Sequence, residues 1–402
     1  MLRISLRRPS GISVTGTWDE NRREGWEERR LERWGIAGLN SGRNDALSVS
    51  VSTALENPAW DTFLRGTPLG EFPQSSLWAA FKQVDGWQCH RTVLQKGRDI
   101  AGGFQLLWRS SRWGRIGYVS RGPVPATEDE ELVDTLSDLL TRAARTLRLT
   151  GMVVQPPGRS RVIASRLSSS RFPANRVLDI VTATLVVDVS GGMEAVETGM
   201  RRTTRQLLRK AARNGVSVRE GTEADIGIFF WLMLETCKRQ KVEPNPSSEK
   251  ALRELWLASR KAEGCRLTLA EHDGRPVSGL FCIPFGDVVA IWKKGSLPES
   301  LHLHPVELLY REAFAWAHSQ GYHYCDFTAL DRRTADALTA GVPLSGKQKA
   351  GRDIFNLGFG GRPVLLPEVC IHFPNPLLSM AYRTFSVLQQ AARRIPGLSR
   401  IQ

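Results

Sequence analysis

Two periodicities alternate along the chain. Leu47–Ser52 (LSVSVS) alternates apolar and polar residues with period two and predicts a strand. Asn57–Arg65 places a proline early and spaces Trp60, Phe63 and Leu64 as a helix would. A second helix is predicted at Ser75–Val84, then strands at His90–Leu94, Ile100–Trp108 and Arg115–Val119. Glu128–Leu147 is strongly amphipathic at the helical period, and Gly151–Val154 reads as a strand entering the loop Gln155-Pro156-Pro157. The β-branched, alternating run Leu178–Val189 closes this unit.

The same order then recurs. A helix over Met200–Asn214 stops at Asn214-Gly215. Helices follow at Ile226–Gln240 and Ser248–Ala262, strands at Cys265–His272, Pro276–Ile283 and Val288–Trp292, a long helix at Pro305–Gln320, and a buried strand at Tyr322–Phe327. Helix, helix, hairpin strands, helix, strand thus occurs twice, in 50–190 and 196–330. The repeat predicts a mixed α/β protein with two related domains, 47–195 and 196–370, and a cleft between them where a ligand would bind. A basic helix at Leu377–Ile395 is expected to end the chain.

Residues 1–46 break the pattern. Trp18–Gly35 (WDENRREGWEERRLERWG) is helical in spacing but balanced in charge. It reads as a docking helix or as a solvated tail, the tail being favoured, or as the product of a start assigned upstream of Leu47. The 402-residue chain has no run of eighteen apolar residues, so no membrane span is expected, and MLRISLRRPSGISV lacks the apolar core of a secretory signal. Six widely spaced cysteines and seven scattered histidines show no disulfide framework and no zinc spacing. These features predict a cytoplasmic protein with reduced thiols, no metal and no cofactor.

Composition changes the picture at one point. Fifty-five Lys and Arg against 41 Asp and Glu leave a net charge of +14, which favours a polyanionic partner: nucleic acid, a nucleoside diphosphate or an anionic membrane surface. Part of the excess is concentrated in MRRTTRQLLRKAARNG, residues 200–215, which carries six bases and no acid. Arg202, Arg205, Arg209 and Arg213 recur at spacings of three and four and share a helical face, the pattern of a phosphate-contacting surface rather than of a mixed solvated one.

No catalytic motif is evident. G-x-S-x-G, the P-loop, H-E-x-x-H and the dinucleotide fingerprint are all missing, and Gly358-Phe359-Gly360-Gly361 lacks phosphate-loop spacing. Lys82, four residues after Trp78, reads on spacing alone as a surface lysine. Ser345–Lys349 is a basic lid or a polar loop. Asp326, ending YHYCDF, is a base, a ligand or a cap.

In combination, the motifs resemble the FemABX family, the aminoacyl-tRNA-dependent transferases that build peptidoglycan cross-bridges. WDTFLRGTPLGEFPQSSLWAAFKQVDGW, then Gly117-Tyr118 and Arg121-Gly122-Pro123, resembles the family's first half. RRTTRQLLRKAARNGVSV resembles its basic helix; HPVELLYREAFAWAHSQGYHYCDF, FNLGFGG and Arg362-Pro363-Val364 resemble its C-terminal signature. The matches run in order from about 48 to 367. The resemblance implies two tandem GNAT-like domains with the tail, 371–402, returning to the first; 220–265 has no long heptad stretch, so no coiled-coil arm is expected. It implies aminoacyl-tRNA as donor, bound along Arg202, Arg205, Arg209 and Arg213, and lipid II or a UDP-MurNAc-peptide as acceptor. It raises Lys82 to an acceptor-diphosphate ligand, with Arg239, Tyr118 and Arg121 beside it. A monomer touching the inner face of the membrane is expected.

One departure stands out. Where the cross-bridge enzymes carry Phe-Lys before the glycine-rich tail, this chain has Phe355-Asn356, so Asn356 is expected at the reacting carbonyl with Lys347 or Lys349 supplying charge. The competing reading keeps the fold and takes an acyl-CoA donor. No Q/R-x-x-G-x-G/A loop supports it, and RSSRWG (109–114) matches poorly. A non-catalytic nucleic-acid binder would need aromatics interleaved with the bases of 200–215, and there are none.

Overall fold

A computed structural model describes residues 47–384 apart from 161, 170–171, 175–177, 179, 261–263, 347 and 349–350. The N-terminal extension, Lys347 and Lys349 therefore lie outside the described residues, as does the end of the helix expected at 377–395. No helix among the described residues is long and apolar enough to cross a membrane.

The first unit contains β1 (Leu47–Ser52), α1 (Pro58–Gly66), α2 (Ser76–Val84), β2 (Gln88–Lys96), β3 (Asp99–Ser111), β4 (Gly114–Ser120), β5 (Val124–Pro125), α3 (Glu130–Thr146), β6 (Leu149–Gln155) and α4 (Val162–Ser169). Local chemistry sets their ends. Asn57 accepts from Trp60 N at 3.0 Å and Asp129 from Leu132 N at 3.0 Å, which caps α1 and α3. Along α3 the fully buried Val133, Leu136, Leu140 and Ala144 recur every three or four residues, so one stripe faces the sheet.

The second unit contains β7 (Ala183–Asp188), α5 (Gly192–Gly199), α6 (Arg202–Arg213), β8 (Ser217–Glu220), α7 (Ile226–Gln240), α8 (Glu249–Ser259), β9 (Arg266–His272), β10 (Arg275–Phe285) and β11 (Val288–Ser296). After these come α9 (Pro305–Ser319), β12 (Tyr324–Asp326), α10 (Arg332–Thr339), α11 (Arg352–Leu357), β13 (Arg362–Leu365), β14 (Cys370–His372) and α12 (Pro376–Thr384).

The repeat read from the sequence is a repeat of topology. In each unit two helices precede three antiparallel strands, a long helix crosses over, and the next strand pairs in parallel with the third: β6 on β4, β12 on β11. Such a parallel return needs a crossover helix, which α3 and α9 provide.

The domain boundary drawn at 195 needs correction. β7 pairs antiparallel with β12 in the second sheet (Cys325 opposite Val187), and β14 pairs antiparallel with β6 in the first (Ile371 opposite Val153). Each sheet thus takes a strand from the sequence on the far side of the nominal border, and 371–384 does return to the first unit. The alternation of 178–189 identified a strand but not its partner, because period two encodes which faces are buried and not which edge is paired.

The two units share a core. Trp78 and Phe81 of α2 pack against Trp292 of β11, with ring centroids 5.9 and 5.4 Å apart, and the cluster continues through Phe229 and Phe281. That aromatic seam fixes one sheet against the other.

Candidate active site

Beside the seam lies a cavity of about 770 Å³ lined by both units. The first sheet contributes the ends of β4 and β6 (Tyr118, Ser120, Gln155) and the second contributes Thr184, Lys293, Lys294 and Asp326, while α11 brings Arg352 and Asn356. Ligands of α/β proteins collect at such strand ends.

A bulge aims the two lysines. β10 opposes β11 as Phe281↔Lys293 and then Cys282↔Ile291, so Trp292 has no residue opposite and the strand twists there. Neighbouring residues on a regular strand face opposite ways. With the bulge, Lys293 and Lys294 both reach the cavity. Lys294 Nζ donates to Tyr310 Oη at 2.9 Å and lies 5.2 Å from the Tyr310 ring and 5.1 Å from that of Phe355. Burial holds both ammonium groups down at about 8, and nearby Arg352 adds to the effect.

Asp326 ends β12, where Thr184 Oγ1 and Thr328 N donate to Oδ1, the latter at 2.6 Å. Burial raises its carboxyl, partly offset by these donors and by Arg121. Arg121 sits in a left-handed conformation (φ 55°) just beyond β4, with Nε 3.4 Å from Glu71 Oε2. Its Nη1 is buried without a hydrogen-bond partner among the described residues, as is Oδ1 of Asn356. A carboxamide turned through 180° exchanges acceptor for donor, so the Asn356 position can present either to a ligand.

The glycine-rich tail builds this wall. At Gly360, φ is +82° and an added Cβ would stand 2.5 Å from Gly199 O, so only glycine lets the tail reach α5. Phe359, 1% exposed, packs its ring 5.1 Å from Tyr310, which seats Phe355 and Asn356 beside Lys294.

Of the residues singled out in the sequence, Tyr118, Arg121 and Asn356 line the cavity. Tyr118 donates to Gln155 Oε1 at 2.8 Å, and burial raises its phenol. Lys82 is neither a surface lysine nor a lining residue. It is 2% exposed in the seam, 4.9 Å from the Trp78 ring and 5.0 Å from that of Phe81, and burial lowers it to about 7. Arg239 is exposed at the end of α7 and donates to Ser296 O at 3.3 Å. Arg202, Arg209 and Arg213 are exposed along α6, whereas Arg205 is tied to Glu197 O at 3.1 Å; none of the four lines the cavity. Lys293, Lys294, Tyr310 and Arg352 were not anticipated. The available signal was Lys293-Lys294 interrupting an apolar strand.

The chemistry of the lining is cationic. Six basic side chains face four acidic ones, among which Glu71 pairs with Arg121 and Asp287 with Arg159 at 3.1 Å. Cys237 faces the cavity, but burial raises its thiol, so it holds no ready thiolate.

The FemAB family profile matches residues 55–171, and that of the acetyltransferase (GNAT) domain matches residues 198–334. The structure of FemX superposes with a TM-score of 0.69 at 15% identity, over 82% of this chain and 99% of FemX. Both halves of the chain are thus similar to the FemABX family. Among named relatives, the UDP-N-acetylmuramoylpentapeptide-lysine N(6)-alanyltransferase of Weissella viridescens is 23% identical over 72% of this chain and 88% of its own. The lipid II:glycine glycyltransferase of Staphylococcus epidermidis is 23% identical over 46% of this chain, and the match spans about half (47%) of that enzyme's length. The fold is that of two tandem GNAT-like domains, with no coiled-coil arm among the described residues.

Proposed function

We propose that the chain is an aminoacyltransferase that moves an amino acid from aminoacyl-tRNA to an amine of a peptidoglycan precursor, lipid II or a UDP-MurNAc-peptide. The observation that carries this reading is the shared cleft: cationic, large enough for two substrates, and without an activated nucleophile. The named relatives are an alanyltransferase and glycyltransferases, which supports the same chemistry here.

The reaction needs no enzyme nucleophile. The acceptor nitrogen attacks the ester carbonyl carbon, the C–N bond forms, the C–O bond to the ribose breaks, and the ribose hydroxyl leaves with the proton given up by the amine. Holding the two reactants together and stabilising the oxyanion supply most of the acceleration. Lys294, still largely protonated at pH 7, is the cation beside Phe355 and takes the place expected of Lys347 or Lys349. Asn356 hydrogen-bonds the carbonyl from its orphan position, and Asp326, with its raised carboxyl, takes the amine proton and passes it to the leaving ribose oxygen. Arg121 and Tyr118 hold the acceptor. Lys82 acts on its diphosphate only through the seam, by the positive field it adds behind Lys293, with Arg239 at the rim.

The donor choice rests on two helix starts. A CoA diphosphate would sit at the N-terminus of the crossover helix, where backbone N–H groups favour anions. In this chain the first turn of α3 carries Glu130 and Glu131 after Asp129, and the segment opening α9 carries Glu299 and Glu307 with no glycine. Carboxylates there repel a diphosphate. The exposed Arg202, Arg209 and Arg213 suit the tRNA backbone instead. We read the protein as a monomer that works at the inner face of the membrane without a cofactor.

A transfer assay tests this. Bulk tRNA charged with labelled amino acids and, in parallel, labelled acetyl-CoA are offered with UDP-MurNAc-pentapeptide or lipid II. RNase-sensitive labelling of the acceptor is the expected result. Labelling only from acetyl-CoA would replace the donor and keep the fold.

A further inference from the structure

At the opposite end of the first sheet from the cleft, three strand ends come together. The β3–β4 hairpin turns at Arg112-Trp113, β6 begins beside it, and β14 runs antiparallel to β6 and leaves at the same edge. The contacts join them: Thr150 Oγ1 donates to Trp113 O at 3.2 Å and Arg115 Nη1 to Leu147 O at 3.0 Å. The Phe373 ring lies against Gly151, 3.3 Å from where a Cβ would stand, and α12 folds back so that Tyr382 packs 5.1 Å from Phe373.

This edge exposes what a soluble surface usually hides. Trp113 is 56% exposed, Leu377 69% and Met380 61%, with Leu378 next to them. Around them Arg112, Arg115, Arg145 and Arg148 are exposed, and no acid occurs in 109–115, in 142–150 or in 369–384. Aliphatic side chains do not stack on bases, so an RNA would leave Leu377 and Met380 uncovered. A bilayer accommodates both sets of residues: indole and aliphatic groups sit at the headgroup boundary, and arginines meet anionic lipid.

We infer that this edge, Trp113 with Leu377 and Met380 inside a ring of arginines, is a docking surface for an anionic lipid bilayer. The inference rests on the reading that the protein works at a membrane face and assigns that contact to one edge; the edge lies a strand length from the cleft and its test reads binding alone, so it fails independently of the transfer reaction.

The test is flotation of the full-length chain with vesicles of phosphatidylcholine alone and of phosphatidylcholine with 30% phosphatidylglycerol (about 30%, a conventional mixture). Partitioning at least tenfold stronger to the anionic vesicles is expected, falling as salt rises. Arg112→Gln with Arg145→Gln should weaken it about 25-fold, at about fivefold per charge. Trp113→Ala and, separately, Met380→Ser should weaken it with little change in the salt dependence. Both positions are exposed, and unchanged circular dichroism guards against misfolding. Equal binding to the two vesicles, or full anionic binding by all variants, overturns the inference. So does a double variant that keeps vesicle binding and loses tRNA retention on a filter, which would make the edge an RNA surface.

Discussion

Lys294 on β11 donates a 2.9 Å hydrogen bond to Tyr310 on α9, and this bond holds its ammonium group 5.1 Å from the ring of Phe355. Asn356 follows Phe355, at the position where the family's cross-bridge enzymes place a lysine. On the proposed reading, Lys294 supplies from the neighbouring strand the charge that the resemblance places at position 356.

Lys294→Met should therefore lower kcat about 100-fold with a small change in KM, the loss typical of one removed oxyanion stabiliser. Tyr310→Phe, which frees the ammonium group without removing it, should cost about tenfold. Steady-state kinetics of the transfer reaction decide this. A Lys294→Met enzyme with normal kcat would return the role to another group.

The pH profile follows from the same residue. Burial sets Lys294 at about 8, so the cation is present at neutral pH and is lost as pH rises through that value. Single-turnover rates should fall above about pH 8. Lys294→Arg keeps its charge to far higher pH and should carry the plateau upward. An unmoved alkaline limb would assign it to the substrate.

Lys82 pits stability against function. Its folded value of about 7 lies below its ordinary 10.5, so the folded chain binds fewer protons and is stabilised as pH rises from about 7 towards 10.5. At pH 7 the buried charge costs up to roughly 3–5 kcal/mol, and Lys82→Met should raise the melting midpoint by several degrees. The gap should narrow at pH 10. If Lys82 supports acceptor binding, the acceptor KM rises in the same variant. A lower midpoint at pH 7 would mean that partners in the seam compensate the charge fully.

Two glycines separate strain from contact. Gly215 (φ +73°) has open space where its Cβ would be, while Gly360 (φ +82°) faces Gly199 O at 2.5 Å. Gly215→Ala should cost ~1 kcal/mol and Gly360→Ala ~2–4 kcal/mol. Gly360→Ala should also reduce activity, because the tail carries Phe355 and Asn356. Urea denaturation of both variants checks the order; equal losses would refute the contact.

Hydrophobic periodicity, caps and turn residues determined the elements and their repeat, because each reports on a backbone segment and its own buried face. Asn57, Asp129 and Pro305 mark helix starts, and Val133, Leu136 and Leu140 mark a buried stripe, without reference to any distant residue. The family motifs likewise pointed to Tyr118, Arg121 and Asn356, which do line the cleft. Tertiary structure alone decided which edges pair, and so sent β7 to the second sheet and β14 to the first. It alone buried Lys82 between two aromatic rings and brought Lys294 to Phe355 across 61 positions of sequence. Pairing, burial depth and the electric field at a side chain are sums over neighbours far apart in sequence, and no local pattern carries those sums.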